Sequence, residues 1–317
     1  MDFAFTEEQA ELKRQARAWL SERYPLDRDW DGQQDDRWSE LAELGWLGVS
    51  VSEDEGGVGL GFLEEAILLE ELGYALYPGP YLATVGFALA ALGPADRAAV
   101  AAGTTKWSAE VNGLTPWLGS VDKVVDMDGN AQPAQGEELV SVDPSRPLGR
   151  LERSNGTPLP GPRDIPRARA AMAAEAVGIA QRVLELGIEH ASTRVQFGKP
   201  IGVYQAVSHQ LANTYADVEL ARSLAYWAAW CVAEDDEQAP VAAAAAKAFA
   251  AEAAVAACER SIQVHGGIGF TWEHVLHRYY KRAQWIESFW GFPAEHRAAV
   301  AAHMLEGARD GVPVRIA

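Results

Sequence analysis

Cysteine is scarce in this sequence of 317 residues. Only Cys231 and Cys258 occur, and both fall within segments that have helical periodicity. Neither has a histidine or a second cysteine at the spacing that a metal site requires. We therefore expect two reduced cysteines that pack in the core, and no metal site.

Positive charge is also in short supply. The chain carries 27 Lys and Arg residues against 45 Asp and Glu residues, which gives a formal net charge of -18 at pH 7. A surface this acidic repels phosphate backbones and anionic lipid. We therefore expect neither nucleic acid nor a membrane as a partner.

The sequence lacks a recognisable export signal. Residues 1–8 do not contain the basic segment and following apolar run of a signal peptide. No uninterrupted apolar stretch approaches the roughly 20 residues that cross a bilayer. We expect a cytoplasmic protein, and its 48% hydrophobic residues are enough to bury a substantial core.

The first third of the chain indicates helices. Thr6 and Gln9 have the spacing of a capping box, and an apolar stripe follows them. The same helical period predicts three more helices, at 37–44, 63–76 and 83–92.

The middle of the chain changes character. Short runs rich in β-forming residues, separated by glycine, proline and asparagine, predict strands at 107–111, 123–127 and 139–142. After Asp164, which can cap a helix, three long helical patterns follow and end near residues 193, 233 and 266. Long helices of this kind predict a bundle.

Two motifs flank the second and third long helices. Residues 194–201 read Arg-Val-Gln-Phe-Gly-Lys-Pro-Ile, and residues 263–273 read Gln-Val-His-Gly-Gly-Ile-Gly-Phe-Thr-Trp-Glu. With Arg278 and the run 281–283, Lys-Arg-Ala, they closely resemble the C-terminal helical domain of the acyl-CoA dehydrogenase family. Singly, an arginine after a helix and a Gly-Gly break are ordinary caps and turns, whereas their joint occurrence in this order favours the family.

The resemblance implies a mainly α fold with a small β domain. It divides the chain into an N-terminal helical domain, 1–103, a truncated middle β domain, 104–160, and a C-terminal helical bundle of the four-helix type, 161–317. In this family the bundle also carries an oligomerisation surface and binds the ADP half of FAD.

FAD is the cofactor that the resemblance implies. Arg194 matches the arginine that pairs with the flavin pyrophosphate, a role that suits a bidentate and permanently charged group. The family's other ADP contacts match polar, aromatic and glycine positions of this chain. They are Gln196, Phe197, Gln205, Gln263, Gly266 and Gly267.

The family's catalytic base has no counterpart here. Its commonest position lies in a Tyr-Glu-Gly motif, and this chain has Phe-Trp-Gly there, with Trp290 in place of the glutamate. A second known position, at the start of the first long helix, is Ala168, followed by Arg169. We predict no catalytic residue in this chain; Arg169 either contacts bound substrate or only packs.

Glu175 and Glu287 are the nearest acidic alternatives. Glu287 lies about one helical turn before Trp290, and Glu175 lies in an otherwise apolar turn of the first long helix. A buried carboxylate needs a partner, and a salt-bridged or solvated glutamate is the ordinary outcome. We expect neither of them to act as a relocated base.

The family's flavin-ring motifs are also missing. Between residues 103 and 156 the sequence contains neither Thr-Glu-Pro-x-x-Gly-Ser-Asp nor Trp-Ile/Val-Thr-Asn. This pattern of loss resembles the short subunits of heterotetrameric (α2β2) actinobacterial acyl-CoA dehydrogenases, which degrade steroid side chains and similarly bulky acyl-CoAs. The resemblance implies a homologous partner that supplies the catalytic glutamate, an acyl-CoA substrate, and an electron-transfer flavoprotein or similar acceptor.

Three alternatives stay open at this point. The chain could be a self-sufficient homo-oligomeric flavoenzyme with a relocated base, or a flavin-free scaffold that stabilises a partner. It could also keep the fold with altered chemistry, such as flavin-dependent oxidation in secondary metabolism.

Overall fold

The computed structural model describes residues 4–30 and 35–309. The polypeptide begins with helices, continues through a small region of β-structure, and ends in a helical bundle. The helices before the β-region are α1 (Glu7–Arg23), α2 (Trp38–Glu43), α3 (Phe62–Tyr74) and α4 (Pro94–Ala101).

The capping box at the start of α1 is confirmed. Thr6 Oγ1 accepts a hydrogen bond from Gln9 N at 3.2 Å, and Gln9 Oε1 accepts one from Thr6 N at 3.1 Å. These bonds satisfy backbone donors that the first helical turn leaves unpaired. The predicted stripe faces the core through the buried Ala16 and Leu20.

The predicted helix at 83–92 exists, but it is not an α-helix. Leu82–Ala88 forms a π-helix and Leu89–Ala91 a 3-10 turn. This segment is fixed to the first strand because Thr84 Oγ1 donates to Trp107 O at 2.7 Å and accepts from Trp107 N at 3.1 Å. Local hydrophobic periodicity does not distinguish the two kinds of helix.

Two small sheets make up the middle of the chain. The first has the order β1-β3-β4-β7, and the second has the order β2-β6-β5. The strands are β1 (Trp107–Ala109), β2 (Thr115–Pro116), β3 (Lys123–Val125), β4 (Asn130–Pro133), β5 (Gly136–Leu139), β6 (Leu148–Leu151) and β7 (Thr157–Pro158).

Strand β3 shows how this region joins the rest of the molecule. Val125 belongs to the main hydrophobic core, whereas Val124 packs in a small separate cluster with Leu118 and Leu151. Neighbouring residues of a strand point to opposite faces, so one short strand serves both cores.

The predicted strand at 139–142 is wrong. The strand β5 lies earlier and ends at Leu139, and Val140 and Val142 are exposed. β5 begins at Gly136, and Glu137 and Glu138 follow it, so its sequence carries no apolar alternation. Its partner β6, and not its own side chains, fixes the strand.

Long helices dominate the rest of the chain. They are α5 (Ile165–Thr193), α6 (Gln205–Ala233), α7 (Ala239–His265), α8 (Leu276–Ser288) and α9 (Pro293–Arg309). Asp164 caps α5 as predicted, since its carboxylate accepts from Arg167 N at 2.9 Å. The strands β8 (Val195–Gln196) and β9 (Lys199–Pro200) form a hairpin between α5 and α6.

Helix α7 lies at the centre of the bundle and packs against α5, α6, α8 and α9. Alanines make up most of its buried positions, which lets neighbouring backbones approach closely. The buried Lys247 donates to the carbonyl of Ile286 at 2.6 Å, at the C-terminal end of α8. The favourable interaction of a cation with this end of a helix offsets part of the cost of burying the amine.

The expectation that no stretch could span a membrane was too strict. The helical segment Ala239–Phe270 is long and apolar enough by length and composition, with a mean hydropathy of 1.6 in its most apolar window. Of that window, 72% is buried inside the fold, as in a core helix. Its apolar character is therefore accounted for by packing.

Candidate functional site

A tight hairpin follows α5 and carries the first group of predicted cofactor residues. Its two turn residues, Phe197 and Gly198, have φ values of +52° and +78°. Positive φ at both central positions is the geometry of a type I′ turn, which suits glycine and strains phenylalanine. The Phe197 side chain is 90% exposed at the tip of this turn.

The hairpin is held from behind by Tyr204, at the start of α6. The Tyr204 hydroxyl donates to Gln196 O at 3.2 Å, and the rings of Tyr204 and Phe197 are 6.4 Å apart. Arg194 and Gln205 are exposed on either side of this contact. The Arg194 guanidinium makes no hydrogen bond or ion pair with any residue that the structure describes, so it can meet an anion.

The second group of predicted residues lies at the end of α7. Gly266 terminates the helix with φ +64°, a conformation that favours glycine. A Cβ at Gly266 or Gly267 would meet no described atom within 4 Å, whereas one at Gly269 would lie 2.7 Å from Ile262 O. Gly269 is required by internal packing; Gly267 leaves an open backbone surface that a ligand can approach.

Histidine rings join the two groups of residues at one end of the bundle. The rings of His190, on the last turn of α5, and His265, the last residue of α7, stack at 4.3 Å. The ring of His274 lies 4.5 Å from His265. Arg194 lies four residues after His190, and Gly266 directly follows His265, so this stack sets the position of the hairpin relative to the glycine turn.

The three rings share one electrostatic environment. Burial, followed by repulsion from the other histidines, lowers the pKa of His274 to about 4. Burial and then His265 and Arg194 lower the pKa of His190, and burial lowers that of His265. Sequence reasoning missed these residues, although their spacing from Arg194 and Gly266 was a usable signal.

The two positions of the family's base lie elsewhere, near the C-terminal end of α8. Ala168 is fully buried. Trp290 is half-buried, with φ +63°, and its ring meets that of Phe87 edge-on at 5.3 Å. Neither side chain can accept a proton.

Arg169 lies near this region and is half-buried. Burial lowers the pKa of its guanidinium, and Nε has no hydrogen-bond partner among the described residues. The charge of Arg169 also lowers the pKa values of the buried Lys247 and His296, after the larger effect of burial. The charge of Glu295 raises both pKa values and that of Glu287 raises the pKa of Lys247, so the surroundings of Arg169 carry charges of both signs.

Glu175 is held in a buried network of charges. Its carboxylate accepts from the Arg146 guanidinium and, at 3.2 Å, from that of Arg282. Arg282 also pairs with Asp143, and all four side chains are buried. Both guanidinium groups hold Glu175 through Oε1, so this carboxylate is part of the buried ion-pair network.

Glu287 is half-buried beside α7. Burial, and after it the neighbouring charge of Glu252, raises the pKa of its carboxyl. The Glu287 side chain therefore lies near Glu252 of α7, and Glu287 precedes Trp290 by about one helical turn.

Family models match most of the chain. The model described as "Acyl-CoA dehydrogenase, N-terminal domain" matches residues 6–107, and "Acyl-CoA dehydrogenase, C-terminal domain" matches residues 163–305. Acyl-CoA dehydrogenase IpdE2 of Mycobacterium tuberculosis is 35% identical over 264 residues, which cover 80% of this chain and 81% of the relative. The chain belongs to the acyl-CoA dehydrogenase family.

Solved acyl-CoA dehydrogenase structures agree in fold. The Tcur3481-Tcur3483 steroid ACAD variant matches with a TM-score of 0.83 and 26% identity, covering 96% of this chain and 99% of that chain. The ChsE4-ChsE5 complex from Mycobacterium tuberculosis matches with a TM-score of 0.83 and 25% identity, at the same coverage. The predicted fold class and the resemblance to short actinobacterial subunits are confirmed.

Acyl-CoA dehydrogenases are FAD-dependent oxidoreductases, so the predicted cofactor is also confirmed at the level of the family. The residues present fit the nucleotide half of FAD, because an exposed arginine and an open glycine backbone lie at one end of the bundle. The assignment of individual cofactor contacts, like the domain boundaries after residues 103 and 160, stays a prediction.

Proposed function

We propose that this chain is the nucleotide-binding subunit of a heteromeric acyl-CoA dehydrogenase that catalyses α,β-dehydrogenation of an acyl-CoA thioester. The contrast between two regions carries the proposal. Arg194 and Gly267 are exposed and unobstructed, whereas the positions of the base hold Trp290 and Ala168. A homologous partner would supply the catalytic glutamate.

The chain's own residues would bind and orient the cofactor tail. Arg194 would form a bidentate ion pair with the pyrophosphate, and the backbone at Gly266 and Gly267 would approach it closely. Phe197 would pack against the ADP moiety. Three glutamines, Gln196, Gln205 and Gln263, would add further hydrogen bonds. FAD, when bound, supplies the acceptor for the hydride that leaves the β-carbon.

Names of similar structures support a partner subunit. The names ChsE4-ChsE5 and Tcur3481-Tcur3483 each pair two components. The Tcur3481-Tcur3483 protein is called a steroid ACAD. By analogy we propose an α2β2 assembly, a bulky steroid side-chain acyl-CoA as substrate, and an electron-transfer flavoprotein or similar acceptor. Arg169, whose Nε has no hydrogen-bond partner in the described part of the chain, would contact the substrate.

Flavin content of the complex tests the proposal. In a complex co-expressed with a homologue that has an intact catalytic glutamate, Arg194→Ala should remove most of the bound FAD, and Arg194→Lys should retain an intermediate amount. Arg150→Ala is a matched control, because Arg150 is 62% exposed and its one ion pair among the described residues is with the exposed Glu137 on β5. Absorbance at the flavin band, per mole of complex, provides the measurement.

The alternative functions predict different results in this experiment and in purification of the chain alone. Unchanged flavin in Arg194→Ala would favour the flavin-free scaffold. A yellow protein, purified without any partner, that reduces an acceptor with acyl-CoA would favour the self-sufficient enzyme. The buried ion pairs of Glu175 count against that enzyme, since Arg146 and Arg282 both hold its carboxylate through Oε1.

A further inference from the structure

The histidine stack lies where two helices end. His190 is in the last turn of α5 and His265 in the last turn of α7, and the ring of His274 packs against that of His265 from the turn before α8. The C-terminal end of a helix carries a partial negative charge of about half an elementary charge. Two such ends meet here, and one positive end, the start of α6 at Gln205, adjoins them. The helix backbones therefore give this region a net negative field, which opposes the binding of an anion.

A pyrophosphate diester brings two negative charges to this region, whereas Arg194 supplies one positive charge. Arg194 is directly connected to the stack, because its backbone N donates to His190 O at 2.9 Å. The charge of the Arg194 guanidinium also lowers the pKa of His190, after the larger effects of burial and of His265. A pyrophosphate at Arg194 would act on the same ring with the opposite sign and with twice the charge.

The hydrogen bonds of the rings indicate where a proton can be added. His265 Nδ1 lies 2.7 Å from Ser261 O, which can only accept, so the neutral ring carries its hydrogen on Nδ1 and leaves Nε2 unprotonated. His274 Nδ1 accepts from Leu276 N at 3.3 Å, and a proton on that nitrogen would break this bond. The His190 side chain makes no hydrogen bond with any residue that the structure describes. His190 and His265 can therefore each gain a proton without losing a hydrogen bond.

Three charged or titratable groups outside the stack act on its rings. They are Glu189 on α5, Arg194 on the hairpin and His277 on α8. Glu189 favours a proton on the stack, and the other two oppose one. Within the described part of the chain, α6 contributes no charge that acts on the rings. Burial lowers the pKa of all three histidines, so the stack is neutral near pH 7 unless a negative charge is added beside it.

We propose that the histidine stack is a second cationic element of the nucleotide site, and that binding of the FAD pyrophosphate is coupled to uptake of a proton by His190 or His265. This inference rests on the proposed function, because it requires the pyrophosphate at Arg194. One arginine leaves one charge of the pyrophosphate uncompensated, and a protonated ring balances it. Bound FAD raises the pKa of the pair, so FAD binds more tightly at low pH, and this gain is lost as the pH rises through the raised pKa.

Calorimetric titration of FAD into the deflavinated complex measures the coupling. The complex is the one co-expressed with a homologue that has an intact catalytic glutamate. FAD has no group that titrates between pH 6 and pH 8, so a proton exchanged in this range belongs to the protein. Heats in two buffers of different ionisation enthalpy should show uptake of about 0.5–1 proton per FAD at pH 6.5, and the affinity should be about fivefold to tenfold higher at pH 6 than at pH 8.

Substitution of two rings locates the proton. Glutamine is polar but does not titrate, so the double variant His190→Gln, His265→Gln should lose the proton uptake and bind FAD with affinities at pH 6 and pH 8 that agree within about twofold. A merely structural role would change the affinity at both pH values alike and leave the uptake in place. His303→Gln is the matched control, because His303 is exposed on α9 and does not act on the pKa of any ring of the stack. It should keep the uptake of wild type.

Failure of this inference can be told apart from failure of the proposed function. Absence of FAD binding at both pH values would overturn the proposed function and the coupling with it. Equal affinity at pH 6 and pH 8, without proton uptake, would overturn the coupling alone and leave the nucleotide-binding role intact. Unchanged uptake in the double variant would assign the proton to other groups and refute the role of the stack. Thermal melts at pH 8 identify a variant that fails to fold; if the double variant does, at least one of the two single variants must reduce the uptake.

Discussion

At the scale of single residues, the decisive feature is the environment of one buried carboxylate. Glu175 is enclosed between Arg146 and Arg282. The pKa of the Arg146 guanidinium falls to about 10 because burial disfavours its charge and Arg282 repels it. This crowding means that the anionic Glu175 is needed to hold two buried cations together.

We expect Glu175→Gln to destabilise the protein severely. Removing one partner of a buried ion pair leaves uncompensated charge and costs about 3–5 kcal/mol in the free energy of unfolding. Urea denaturation measures the loss. Glu137→Gln is the control, because Glu137 and its partner Arg150 are both exposed, and it should cost less than about 1 kcal/mol.

A different result would assign Glu175 another role. If Glu175→Gln kept wild-type stability while abolishing turnover in the complex, Glu175 would be a catalytic carboxylate and its structural role would be refuted.

At the scale of elements, the hairpin after α5 combines strain with exposure. Asparagine followed by glycine is the preferred pair in a type I′ turn, yet Phe197 occupies the first position. The Phe197 ring contacts Tyr204 edge-on, but its positive φ is an unfavourable conformation for an exposed aromatic residue. Under the proposed function, its presence there is explained by a contact with the ADP moiety of FAD.

We expect Phe197→Asn to separate stability from cofactor binding. The change should raise the free energy of unfolding by about 1 kcal/mol, since asparagine tolerates positive φ. It should also increase the rate of FAD loss from the complex. Thermal melts and flavin fluorescence released over time provide the two measurements.

Val140→Asn controls for the removal of an exposed apolar side chain, because Val140 is fully exposed and lies outside the strands. It should change neither property. Faster FAD loss with Val140→Asn, or none with Phe197→Asn, would contradict the assigned role of Phe197.

The histidine stack links α5, α7 and the turn before α8, and it should respond to pH. The pKa of His274 falls from 6.5 to about 4 on folding, so the unfolded state binds more protons between these values. The stability contributed by the neutral ring is present above about pH 6.5 and is lost as the pH falls toward 4. The charge of Glu189 raises the pKa of His265 and so partly offsets the effect of burial on that ring. Arg194 lowers the pKa of His190, and His277 lowers that of His274.

We expect the melting temperature of wild type to fall between about pH 7 and pH 5 more steeply than that of His274→Gln. Glutamine keeps a polar side chain but does not titrate in this range. Differential scanning calorimetry at both pH values measures the difference. Parallel pH profiles for the two proteins would rule out His274 as the source of acid sensitivity.

At the scale of the whole molecule, the missing base predicts the stoichiometry of the assembly. Under the proposed function, a tetramer of two such chains and two partners should hold two flavins, because each flavin needs this chain for its nucleotide and the partner for its ring. Native mass spectrometry and flavin absorbance measure this ratio. Four flavins per tetramer, or an active assembly of this chain alone, would contradict the proposed division of roles.

Some features follow from the sequence because they depend on neighbouring residues. The capping box of Thr6 and Gln9, the cap at Asp164 and the long helices come from local periodicity and local hydrogen bonds. The hairpin and the glycine turn that identify the family are likewise short motifs. Strand β5 was misplaced because a partner strand, and not its own pattern, defines it.

The tertiary structure alone decided what the buried charges and rings contact. Glu175 meets Arg146 and Arg282 across 29 and 107 residues of sequence, and His190 meets His265 only because α5 and α7 end together. Local patterns determine which elements form, whereas burial, pairing and pKa depend on which distant side chains packing brings together.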